Sequence, residues 1–316
     1  MQFLITVFHV LVFPGLLFCV VLGVLLSGIS RKLAARMQNR VGPPLLQPWY
    51  DFLKCCGKET IIPRHARRRI FLAAPWVSFA ALVSVSLFLP VMNFTAFSTG
   101  ADLVVILYLL TFAGAAMMAG AASSGSPFAG VGLSREMVAM ISYELPFVLV
   151  ILAVGLAVGD GGVTFSLSAV RDWQGANGPL LLRWSMIPAA LAMLFVIPCE
   201  AGAHPFDVAE AETEICEGML AEYSGTPLGL FRLGTCVKTY LMSALFCALF
   251  LGGLSTGIVV LDVVIVIVLC FAVTFLTMTV PRAVCARFKV EQVFKFYWTV
   301  VAGLAAVSLI LVWFGL

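Results

Sequence analysis

Eight runs of apolar residues constrain what this chain can fold into more than any motif does. They fall at about 3–29, 70–92, 102–123, 136–158, 185–200, 229–252, 258–280 and 297–315. A bilayer core needs about 20 apolar residues per spanning helix. Lipid offers no partner to an open backbone N–H or C=O, so such runs cross a membrane as helices. Charged residues make up 11% of the 316 and hydrophobic residues 62%. A soluble domain carries about 25% charged residues, so this chain cannot cover itself with polar surface. The sequence predicts an all-α, polytopic membrane protein with eight transmembrane helices, forming a single integral membrane domain over 1–316. The first run lacks a basic n-region and is followed by Arg31-Lys32 instead of a cleavage site, so it is read as a span and not as a signal peptide.

The Lys/Arg bias orients the spans. The side opposite the N-terminus receives the segments 30–69, 124–135, 201–228 and 281–296. Ten of the 19 basic residues lie in the first of these and four (Arg282, Arg287, Lys289, Lys295) in the last. Arg135, Arg232 and Lys238 are assigned to helix ends on the same side, leaving Arg171 and Arg183 opposite. The positive-inside rule makes the crowded side the cytoplasm and places both termini outside. The cytoplasmic loops are long and carry short-helix signals, and a rigid scaffold puts chemistry on such loops.

Two other function classes are set aside. The nine cysteines contain no Cys-x-x-Cys, and most sit inside apolar runs, where a free Cys behaves as a small hydrophobe. His9, His65 and His204 are too scattered for a metal cluster. The basic residues are not interleaved with stacking aromatics, which leaves no nucleic-acid footprint.

Three polar segments carry the candidate chemistry. The first runs from Arg31 through Arg36 and Arg40 to a Gly42-Pro43-Pro44 joint, then through Gln47, Lys54 and Lys58. It reads as a basic amphipathic stretch, a rigid elbow and a second short helix through Asp51–Lys54. The arginines alone suit a topogenic role against anionic lipid, at about 1 kcal/mol each. The elbow has no topogenic purpose and points to a docking surface for a partner.

The second segment is the start of the fourth span, Ser134-Arg135-Glu136 to Ser142-Tyr143-Glu144-Leu145-Pro146. Glu136 reads either as a cytoplasmic-end residue paired with Arg135 or as part of a proton path. Glu144 lies about 12 Å deeper along the axis. A carboxylate at that depth is costly unless paired or hydrated, so it is placed either to exchange protons or to pack as a neutral, hydrogen-bonded side chain.

The third segment, 200–225, holds Glu200, Asp207, Glu210, Glu212, Glu214, Glu217 and Glu222, seven of the chain's 16 acids. Asp207 and Glu210 fit a capping box. With Glu214 and Glu217 they follow spacings of 3, 4 and 3, which predicts one acidic helical face. Such a stripe is often just solvated. Like charges at that spacing destabilise an exposed helix, and the segment contains no Lys or Arg, so a coupled set of titrating carboxylates is expected.

Arg40-Val41-Gly42-Pro43, Leu45-Leu46-Gln47-Pro48 with Lys54 and Lys58-Glu59, Ile141-Ser142-Tyr143-Glu144-Leu145, Pro205-Phe206-Asp207 with Glu210-Ala211-Glu212, and Glu222-Tyr223-Ser224-Gly225 resemble, in the same order, the NuoH family. This is the complex I membrane subunit at the junction with the peripheral arm. The direct Pro43-Pro44 join, Ser134-Arg135-Glu136 and Ala203-His204 before Pro205 are most similar to the EchB/CooK-type subunit of energy-converting, membrane-bound nickel-iron hydrogenases. The same departures weigh against a quinone site.

The resemblance implies a multi-pass subunit of the cytoplasmic (inner) membrane, itself without a redox centre, that anchors the hydrophilic electron-transfer arm. It would couple hydrogen evolution from a ferredoxin-like donor to proton or sodium movement. Glu144, Asp207, Glu210, Glu212 and Glu222 would lie along a path toward antiporter-like subunits, with 31–58 under the arm. The nickel-iron centre and iron-sulphur clusters would belong to hydrogenase large and small subunits and iron-sulphur partner subunits. The alternatives are the quinone-chamber subunit of an NADH:quinone oxidoreductase and, from another class, a stand-alone ion or solute carrier.

Overall fold

The computed structural model describes residues 8–91, 97–159, 162–254 and 258–315, without the side chains of 212, 213 and 259. Helices dominate: α1 Leu16–Met37, α2 Gln47–Cys56, α3 Arg68–Phe88, α4 Asp102–Ser124, α5 Pro127–Val158, α6 Leu167–Asn177, α7 Ile187–Glu200, the single turn α8 Glu212–Ile215, α9 Gly225–Phe250, α10 Val259–Thr274, α11 Val280–Val284, α12 Val290–Phe296 and α13 Ala302–Trp313. Among the described residues, seven helical stretches are long and apolar enough to cross a membrane, and Trp184–Glu200 is a shorter apolar helix between the fourth and sixth of the eight. The eightfold pattern of the sequence is therefore the pattern of the fold.

The polar ends differ from expectation in a consistent direction: helix replaces loop. The first span runs on through the basic stretch to Met37. The 124–135 connection, expected as a loop, shrinks to a turn at Gly125-Ser126. Gly125 takes the left-handed φ of 72° that ends α4, and Pro127 opens α5 in the first turn, where its missing N–H costs nothing. At 32 residues, α5 is about 48 Å long and exceeds the bilayer core. The 281–296 segment likewise becomes α11, a short link and α12.

The helix α9 lies at the centre of the bundle, against α1, α2, α3, α7 and α10. Lipid is as apolar as leucine, so small and hydroxyl side chains make the helix contacts. Ser243 Oγ and Thr274 Oγ1 lie 2.9 Å apart between α9 and α10, and Thr279 Oγ1 donates to Ser30 Oγ at 2.9 Å. Gly229 lets α2 pack closely: a Cβ there would stand 2.9 Å from Cys55 Cβ. The last two spans each contain a π-helical turn, Phe275–Thr279 and Tyr297–Val301.

Candidate functional site

The segment 201–224 is not the acidic helix its spacing suggests. Only Glu212–Ile215 forms a turn of α-helix, and Asp207 makes no cap. Cys216, Glu217 and Gly218 have successive left-handed φ values of 50°, 66° and 48°, which end any right-handed helix. Two causes are visible. Phe206, Val208, Ala209, Ala211, Ile215, Met219 and Leu220 are all buried, an apolar pattern without helical period. The acids also find cations on other elements, so no shared face forms.

Those cations sort the acids. Arg287 donates to both carboxylate oxygens of Asp207, at 3.1 and 2.8 Å, and His204 Nδ1 lies 3.6 Å from the same group. Arg135 pairs with Glu214 at 2.6 Å and not with its neighbour Glu136. Arg232 pairs with Glu217 at 2.8 Å. Glu200, 3% exposed at the end of α7, meets Lys238 Nζ at 2.7 Å. Lys238 is no helix-end residue: it sits 13 residues into α9, about 20 Å along the axis.

Around that pair, Glu136, Glu200, Asp207, Glu210 and Lys238 line a cavity of about 50 Å³ between α3, α4, α5, α7 and α9. A polar cavity of this size holds a few water molecules. Asp207, Glu210 and Thr235 also line a second, larger cavity of about 830 Å³. Its wall carries Arg31, Arg40, Arg232, Arg282 and Arg287 beside Asp51, Asp207, Glu210 and Glu217. Glu210 thus stands at the junction. Burial pushes its carboxyl up to about 7, with Glu136, Asp207 and Glu217 adding in the same direction and Lys238 opposing. It is a group poised to exchange protons near neutrality.

The docking segment forms the far wall of the larger cavity, a juxtaposition the sequence did not suggest. Arg31, Arg40 and Pro43 face it. Asp51 draws the elbow together, 3.8 Å from Arg31 and accepting from Gln47 Nε2 at 2.7 Å. Gly42 packs on α1, where a Cβ would stand 3.0 Å from Lys32 Cα. Arg36, Arg40, Lys54 and Lys58 are exposed, as are Trp49, Tyr50 and Leu53 on α2.

Other expected acids stand apart. Glu144 is partly exposed on an outer face of α5 shared with Met137, Ile141 and Val148, though still close enough to feel Glu200. Glu214 is exposed, and Glu222 lines neither cavity. The side chain of Glu212 lies outside the described residues. Next to Glu222, Tyr223 stacks on Phe71 at 4.1 Å and Ser224 Oγ accepts from Ile61 N at 2.8 Å. That short motif therefore ties the loop to α3. Lys238 is the functional residue missed from sequence. The available signal was a lone lysine inside an apolar helix, where a charge is costly unless partnered.

The NADH dehydrogenase family model matches residues 9–313. The chain is 36% identical over 228 residues to hydrogenase-4 component C of Escherichia coli K12, covering 72% of this chain and 70% of that one. It is 36% identical over 305 residues to the NuoH-type subunit of the NADH-quinone oxidoreductase of Rhodospirillum centenum, covering 89% and 85%. A chain in the structure of the membrane-bound sulfane sulfur reductase, an archaeal respiratory membrane complex, superposes with a TM-score of 0.85 at 27% identity over 94% of this chain and 96% of that one. With eight apolar helices and relatives of this kind, the chain belongs to the NADH dehydrogenase (NuoH-like) family of membrane subunits in hydrogenase-type and complex I-like oxidoreductase complexes.

Proposed function

We propose that the chain is the anchor and energy-coupling subunit of a membrane-bound nickel-iron hydrogenase complex in the cytoplasmic (inner) membrane. The arm docks on the 31–58 elbow, and electron transfer within it is linked to ion movement through the buried acids. One observation carries this reading: a cavity walled by the elbow meets, at Glu210, the buried Glu136–Glu200–Lys238 cluster. A change imposed on the elbow from outside alters the field and hydration at the one loop acid that both cavities share. The redox chemistry is assigned to partner subunits, with the nickel-iron centre and iron-sulphur clusters. This chain's part is to seat them and to pass the change on to antiporter-like membrane subunits.

Five arginines and four acids on the wall of the larger cavity make a hydrated space, poorly suited to the apolar tail of a quinone. That favours the hydrogenase reading. The second reading, a quinone-chamber subunit, draws on the likeness to the Rhodospirillum centenum protein over 89% of the chain. Purification of the intact complex through a tag on this chain separates the two. Nickel, a hydrogenase large subunit and hydrogen evolution from reduced ferredoxin are expected. A nickel-free complex that reduces quinone overturns the proposal in favour of the second reading. A lone chain with transport activity overturns both in favour of a carrier.

A further inference from the structure

We infer that Lys238 makes the buried cluster selective for protons over sodium: its ammonium stands where a sodium ion would have to bind, and it passes protons to and from Glu200. This rests on the coupling role proposed above and adds to it the identity of the ion.

The pairing of acids with cations divides by depth. Asp207, Glu214 and Glu217, on the polar face, are each held by an arginine. Arginine stays protonated in proteins, so these pairs are fixed charge. The deep acid Glu200 is held by a lysine, a cation that gives up its proton when its surroundings favour the neutral amine. Among the described residues, the cation at the deep cluster is thus the one that can take part in proton transfer.

The geometry leaves that transfer open. Glu200 Oε1 lies 2.7 Å from Nζ but accepts no aligned hydrogen bond, so the contact is a charge pair that water in the adjoining cavity can enter. Facing the pair are Glu136 and Tyr143 from α5, Cys199 from α7 and Glu210 from the loop. In the transfer, an N–H bond of the ammonium breaks with its electron pair left on nitrogen, and an O–H bond forms on a Glu200 oxygen. The products are a neutral amine and a carboxylic acid. A proton delivered by water from Glu210 restores the ammonium, and charge and electrons balance throughout.

A sodium ion has no comparable place. It needs a shell of oxygen ligands, while the cavity measures about 50 Å³ and already holds a tethered positive charge. Two unit charges a few ångströms apart repel strongly where the effective dielectric constant is low. Water fits the space and relays protons through it.

The test uses membrane vesicles containing the whole complex, driven by reduced ferredoxin, or by NADH and quinone if those are the substrates the complex uses. Proton uptake is followed with a pH-sensitive dye and sodium uptake with radioactive sodium, each per electron transferred. Wild-type vesicles are expected to take up protons equally with and without sodium in the buffer, and to take up no sodium. Lys238→Arg keeps the ion pair but cannot release a proton, so protons moved per electron should fall about tenfold or more. Sodium-dependent uptake, or Lys238→Arg at the wild-type ratio, overturns the inference. If Lys238→Arg does not assemble, the wild-type sodium measurement still decides. Electron transfer with no ion movement in wild-type vesicles overturns instead the coupling role on which the inference rests.

Discussion

Lys238 on α9 and Glu200 at the end of α7 form an ion pair of 2.7 Å with side-chain exposures of 12% and 1%. Desolvating two charges offsets much of their attraction, so such a pair adds little stability over apolar groups of the same size. Removing one partner is different, because a buried charge is left alone, at a cost of about 3–5 kcal/mol. Lys238→Met should therefore lower the thermal stability of the purified complex sharply, or prevent its accumulation. Lys238→Met with Glu200→Leu should recover most of that loss while remaining unable to couple. A double variant no more stable than the single one would show that the pair does not act as a unit.

Glu210 gives a stability signature with a definite sign. Its carboxyl keeps its proton up to about pH 7, against an ordinary value of 4.5. Between those values the native protein binds more protons than the unfolded chain, so stability falls as pH rises. The contribution is fully present below pH 4.5 and lost as pH passes 7. Glu210→Gln fixes the neutral form. Thermal unfolding followed from pH 4.5 to 8 should show a smaller decline in the variant than in the wild type. Parallel curves would exclude Glu210 as the titrating group.

The span count was legible in the sequence because lipid imposes one rule, a satisfied backbone and an apolar exterior, on every spanning segment. The elbow at Gly42-Pro43 was legible for a similar reason: proline and glycine fix backbone angles locally. The acidic segment misled because charge spacing was read as helical period. Its fold is set by buried Phe206, Val208 and Met219, and by Arg135, Arg232 and Arg287 arriving from distant positions. No local pattern encodes those meetings. Lys238 was hidden by a boundary: a start for its helix at 229 put it near the end, whereas α9 begins at Gly225.

The exposed lysines of the docking segment allow a test that leaves the fold alone. Lys54 and Lys58 are solvent-facing, and exposed substitutions of this kind usually change stability by less than about 0.5 kcal/mol. Lys54→Glu with Lys58→Glu should leave the amount of this chain in membranes unchanged. Retention of the hydrophilic arm should fall, and more steeply as salt is raised, since rim charges act mainly on association and are screened. Arm retention equal to wild type across a salt series would remove these lysines from the docking surface.

Glu214 and Glu136 are neighbours in the acidic set by sequence argument but lie on opposite sides of a physical divide. Glu214 is exposed, and its partner Arg135 remains protonated, so this is a surface pair worth about 0–1 kcal/mol. Glu136 lines the inner cavity and interacts with Glu200 and Lys238. Replacing either by Gln keeps shape and hydrogen-bonding capacity while removing the negative charge and the site for an exchangeable proton. Glu214→Gln should leave both turnover and ions moved per electron within about twofold of wild type. Glu136→Gln should assemble normally but lose most ion movement per electron, since a relay fails when one station cannot change protonation. Equal effects of the two variants on the ratio, measured in the same vesicles, would mean that burial beside Lys238 does not single out the coupling acids.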